Sequence, residues 1–148
     1  MENTRMLKRN PQAAPTEMKV GTKSPKTVDS LMSDLLESVT VVHKAHLKIT
    51  GEGSYAAHKA MGEFYDGIGD LADSLIEGYQ GLTESLLDLG PGESPSFKTA
   101  KECVSYLNSI YKKVDAVQAV CTYSEINNDL DNVKSLINST KYKLIFLK

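Results

Sequence analysis

From Val28 onward, apolar positions recur at alternating steps of four and three. The first series is Val28, Met32, Leu35, Val39, Val42, His46 and Ile49, a single stripe on one helix face. Gly51 and Gly53 stop that helix, and Ser54 stands where an N-cap is wanted. The second series is Ala57, Met61, Phe64, Ile68, Leu71, Leu75 and Tyr79. A connection over about residues 80–96 follows, carrying Gly90-Pro91-Gly92 and Ser94-Pro95-Ser96, with room for a short helix at Leu82–Leu89. The third stripe runs Ala100, Cys103, Leu107, Ile110, Val114, Val117, Cys121. The fourth runs Ile126, Leu130, Val133, Ile137, Thr140, Leu144, Leu147, with Ser124 as its candidate cap.

Four amphipathic helices with no strand-like alternation between them predict an all-α four-helix bundle over residues 28–148. The first and third connections are short and make antiparallel neighbours. The middle one is long enough to cross the bundle, the ferritin-like order with a long crossover between helices 2 and 3. A three- or four-helix adaptor would share the stripes without needing that crossover.

Residues 1–27 read differently. Pro11, Pro15 and Pro25 interrupt them and no apolar period is sustained, so they are expected to form a basic, flexible N-terminal arm. Over residues 1–28, Arg5, Lys8, Arg9, Lys19, Lys23 and Lys26 outweigh Glu2 and Glu17, whereas the remainder is acidic; the net charge of -2 conceals this split. A basic arm on an acidic body suits DNA or an acidic protein surface, with binding that weakens as salt rises. A solubilising or assembly tail fits equally. Many copies on one particle would strengthen a weak single contact.

The length of 148 residues allows one domain plus a tail. No apolar run reaches the ~18–20 residues of a membrane span, and the polar start does not resemble a secretory signal. Cys103 and Cys121 are too few for a disulfide scaffold or a zinc knuckle, so two buried thiols in a reducing, cytoplasmic compartment are expected.

Two features carry candidate chemistry. All three histidines, His43, His46 and His58, fall within sixteen positions. His46 takes a core-stripe position, where an imidazole needs a hydrogen-bond partner or a metal. Across an antiparallel turn His58 comes near the same end of the bundle. The second feature is a carboxylate ladder, Glu63, Asp66, Asp70, Asp73 and Glu77, on one face of helix 2. It reads either as a solvated acidic face or as oxygen ligands which, with imidazole, suit iron, manganese or zinc. Helix 2 also holds Gly62, Gly67, Gly69 and Gly78, each costing roughly 1 kcal/mol relative to alanine. Close approach of a symmetry-related copy, or a local bend, would account for them. Phosphate-cradling loops, nucleophile elbows and aromatic–basic platforms for single-stranded nucleic acid are absent from the sequence pattern.

The stretch Ala45-His46-Leu47-Lys48-Ile49-Thr50-Gly51, then Ala57-His58, Glu63-Phe64-Tyr65-Asp66 and Asp73-Ser74-Leu75-Ile76-Glu77, resembles the Dps mini-ferritins, the DNA-protecting ferritins of starved cells. The spacing of twelve residues from His46 to His58, then fifteen to Asp73 with Glu77 completing the pair, carries the likeness. The resemblance implies a hollow homododecamer that takes up iron(II) and oxidises it with hydrogen peroxide. The catalytic and metal-binding residues would be His46 and His58 of one subunit with Asp73 and Glu77 of its neighbour, and Asp66 within reach. The arm lysines would contact DNA or a partner, and the cage would be nucleoid-associated or belong to a bacteriophage. Two positions depart from the family pattern. Gly62 stands where an aspartate is usual, and Leu47 replaces a tryptophan. These departures leave a second expectation open: a ferritin-like structural or binding module with an impaired metal site, such as a phage virion or host-interaction component.

Overall fold

A computed structural model describes residues 23–148. Four helices follow in order: α1 Lys26–His46, α2 Ser54–Thr83, α3 Ala100–Val120 and α4 Ser124–Phe146, with no strand among the described residues. The chain is a four-helix bundle. α1 packs against α2 and α3, and α4 closes the other side against α2 and α3.

Each stripe turns inward. Val28, Leu31, Met32, Leu35, Met61, Phe64, Ile68, Leu75, Leu107, Val114, Leu130 and Ile137 are fully or almost fully enclosed. Burying side chains of this size stabilises the fold by roughly 1.5–3 kcal/mol apiece. Cys103 and Cys121 are buried free thiols, and burial pushes the Cys103 thiol up to about 12, which keeps it unreactive.

Helix boundaries show local chemistry at work. Pro25, in an extended conformation, precedes α1, and Asp29 favours its first turn. α1 thus begins two residues before Val28 and takes in Lys26, which belongs to the helix and not to an arm. After His46 the chain turns through Gly51 and Gly53 with φ of 93° and 76°, conformations that glycine alone adopts freely. Ser54 is therefore the first helical residue of α2, and its side chain caps nothing. Ser124 likewise opens α4 behind Tyr123 without a side-chain cap. The side-chain cap is at α3, where Thr99 Oγ1 accepts from the Glu102 backbone N–H at 3.1 Å and donates to the Glu102 carboxylate at 2.8 Å. The expected short helix over 82–89 does not form: α2 itself continues to Thr83, and Glu84 leaves it in the left-handed conformation.

The crossover then runs the length of α1. The Asp88 N–H donates to Asp29 Oδ1 at 3.2 Å near the start of α1. The Glu93 N–H donates to Asp34 Oδ1 at 2.8 Å further along, and Lys48 beyond the helix end donates to Ser96 Oγ at 2.8 Å. α3 consequently starts at the end of the bundle where α2 starts, and α4 returns to it. Lys143 near the end of α4 pairs with Glu63 near the start of α2. Gly92 presses on α1 so closely that a Cβ there would lie 2.5 Å from the Ser33 carbonyl oxygen.

Asp29 and Asp34, buried and each accepting from two donors, thus hold the crossover. Ser24 donates to Asp29, and Lys113 bridges Asp34 to Glu93. Burial pulls the Lys113 ammonium down, but the two carboxylates outweigh it and the group ends above its ordinary value.

Candidate functional site

The three histidines converge at the end of the bundle where α1 stops and α2 begins. The His46 and His58 rings stack with centroids 3.7 Å apart and planes inclined 20°. His43 stacks on Tyr65 at 4.4 Å, and Tyr65 meets His46 edge-on at 5.3 Å. α1 places His43 and His46 three residues apart on one side, and the Gly51–Gly53 turn brings His58 beside them. The expectation that His46 and His58 share one end is met.

The ring nitrogens have different partners. His58 Nδ1 lies 3.0 Å from the His46 carbonyl oxygen, which can only accept, so Nδ1 carries the hydrogen in that bond. That leaves Nε2 of a neutral His58 with a free lone pair, the arrangement found where a histidine ligates a metal and is steered through its other nitrogen. His46 Nδ1 is enclosed without a well-formed hydrogen bond; the His43 carbonyl exerts only a weak pull on it. Burial holds His46 below the usual imidazole range, reinforced by the charges of His58 and His43 and opposed by that carbonyl and Asp66. At neutral pH His46 is the neutral base a metal requires.

His46, His58, Lys59, Gly62, Glu63 and Asp66 line a shallow cleft of about 200 Å³. Gly62 faces His46: a Cβ there would stand 3.9 Å from His46 Cδ2 and Nε2, an ordinary contact. The position has room for a carboxylate side chain and lacks one. Glu63, also on the cleft, pairs with Lys143, whose hydrogen bond and charge hold its carboxyl below the usual range.

Asp73 and Glu77 lie elsewhere. Both are exposed on the outer face of α2, with Asp66 and Asp70 between them and the histidines. Fifteen residues of helix separate His58 from Asp73 by about 22 Å, so one chain cannot bring them together. Among the described residues no three His, Cys, Asp or Glu side chains form a metal-ligand group within the chain. Of the helix-2 glycines Gly67 is explained from within, since a Cβ there would come 3.1 Å from Leu136 of α4; Gly62, Gly69 and Gly78 have room for a Cβ within the chain. Of the arm residues, Lys23 and Lys26 are exposed at the start of α1; Arg5, Lys8, Arg9 and Lys19 lie outside the described residues.

Residues 46–144 match the family model DUF5856, a family of unknown function. The chain belongs to this family. The matched span opens on His46 and contains His58, Gly62, Asp66, Asp73 and Glu77, while His43 and most of α1 lie outside it. Neither the curated proteins nor the solved structures hold a match to the chain. No described helix is long and apolar enough to cross a membrane.

Proposed function

We propose that this protein is an iron-handling, mini-ferritin-like subunit whose reactive site is shared between two copies. His46 and His58 of one subunit and Asp73 and Glu77 of its neighbour bind iron(II), with Asp66 at the edge of the cleft, and peroxide oxidises the bound iron. One observation carries this reading. Two stacked imidazoles, one with Nδ1 committed to a backbone carbonyl and the other neutral and unsatisfied, face an open cleft beside an acidic helix face. Nitrogen and oxygen donors of this kind suit iron, manganese and zinc. Because α2 holds Asp73 and Glu77 about 22 Å or more from the imidazoles, a second, antiparallel copy is the natural source of the remaining ligands. The homo-oligomer is part of the proposal, with a dodecamer as the assembly the Dps resemblance implies, and DNA as the ligand of the basic arm.

The test is anaerobic titration with iron(II), followed by peroxide, with ferric absorbance as the readout. The wild-type protein is expected to oxidise iron faster than a His46→Ala/Glu77→Ala double variant; equal rates would end the oxidation reading.

A second reading is favoured by Gly62. With no carboxylate at position 62 beside His46, the subunit would serve as a ferritin-like structural or binding module, in a phage particle for example, with the arm on an acidic partner. Metal analysis after native purification separates the two: bound iron supports the first reading and a metal-free assembly the second.

A further inference from the structure

The bundle is electrically lopsided along its axis. The half containing the end of α1, the start of α2, the start of α3 and the end of α4 (residues 36–68, 94–110 and 136–148) holds eight lysines against five acids. The other half of the described chain holds five lysines against twelve acids. Exposed apolar groups divide unevenly as well. Leu47, Tyr55, Tyr142, Ile145, Phe146 and Leu147 all stand open at the lysine-rich end, Phe146 being 68% and Tyr55 76% exposed. Leu86, 81% exposed, and Leu89 stand open at the acidic end, where the crossover begins between Glu84 and Asp88. Tyr142 and Phe146 form one aromatic pair, with ring centroids 5.7 Å apart, on the last turns of α4. Lys141, Lys143 and Lys148 flank them in sequence, with Lys143 paired to Glu63.

We propose that the end of α4 is a docking knob, and that its occupant is the acidic, leucine-bearing end of a second copy of this chain. The knob offers aromatic rings rimmed by ammonium groups; the receiving end offers exposed leucines rimmed by carboxylates. The two surfaces are opposite in net charge, even with Lys23 and Lys26 exposed at the acidic end, and both belong to the same molecule. Apolar contact at the centre supplies affinity, and the opposed rims select orientation and speed encounter. The contact is head-to-tail, so it joins different surfaces of the two copies and must close into a ring to avoid open-ended growth. It uses surfaces other than the α2 face and histidine cleft, and does not depend on iron chemistry.

Charge reversal tests this. One variant carries Lys141→Glu and Lys148→Glu, the other Glu84→Lys and Asp88→Lys, each checked for retained helicity by circular dichroism. Light scattering after size exclusion at low salt is expected to show the wild type as an assembly, and each variant alone as a smaller species. Mixing the two is expected to restore the larger species, since each reversed end then meets its opposite. A wild-type monomer at low salt, unchanged mass in either variant, or no recovery on mixing would overturn the proposal. So would a monomer whose lysine-rich end instead binds oligonucleotide or anionic vesicles.

Discussion

Two polar clusters sit on α1, and they are built to opposite standards. Near its start, Asp29 and Asp34 are buried but engaged: the Asp88 N–H and the Ser24 hydroxyl donate to Asp29, and the Glu93 N–H and the Lys113 ammonium to Asp34. Near its end, His43, His46 and His58 are less buried, yet His46 Nδ1 has no well-formed hydrogen bond and the three basic rings crowd together. A buried charge held by several donors is how a fold fastens a strap. Bases left short of partners beside an open cleft are how a site waits for a ligand. Satisfaction, more than burial, separates the structural cluster from the candidate functional one.

The sharpest way to break the comparison is the same replacement at both places. Asp34→Leu leaves the Glu93 N–H without its acceptor and Lys113 with Glu93 alone, and is expected to lower stability in urea unfolding by about 3 kcal/mol. His46→Leu removes an unsatisfied nitrogen and fills a similar space, so its effect on stability is expected to stay within about 1 kcal/mol. Equal losses would erase the distinction. The strap can also be attacked through its backbone. Gly92→Ala forces a methyl against the Ser33 carbonyl and is expected to cost about 2 kcal/mol. The site can be sharpened instead of broken. Gly62→Asp places a carboxylate opposite His46 and is expected to tighten iron(II) binding roughly tenfold, about 1.4 kcal/mol, as read by anaerobic calorimetry.

The smallest expected effect is on pH dependence. His46 sits below its ordinary value of 6.5 in the fold, so its contribution is fully present above 6.5 and is lost as pH falls through the depressed folded value. Wild-type thermal stability is expected to fall more between pH 7 and pH 5 than that of His46→Leu. Identical slopes would contradict the assignment of His46 as a half-buried neutral base.

The helices and their inward faces were legible because the four-three spacing of Val28 to Val42, Ala57 to Tyr79 and Ile126 to Leu144 has one reading. The gathering of His46 and His58 was legible too, since a short glycine turn fixes an antiparallel pair. Asp29 and Asp34 were not. They lie beside the stripe, and only the crossover's packing encloses them; the backbone groups that bind them come from 59 positions away, so no local spacing marks them. Serines 54 and 124 failed as caps because the preceding Gly53 and Tyr123 take the cap positions. The helix-2 glycines pointed toward a partner, whereas Gly67 answers chiefly to Leu136 of its own chain.

The shared site admits one direct test. A His46→Ala/His58→Ala protein and an Asp73→Ala/Glu77→Ala protein, each inactive alone, are unfolded together, refolded as a mixture and given iron(II) and peroxide. If two copies each lend half the ligands, mixed pairs regain one intact site of two, and oxidation should recover to about a quarter of the wild-type rate. A mixture that stays as inactive as its components would contradict the shared site.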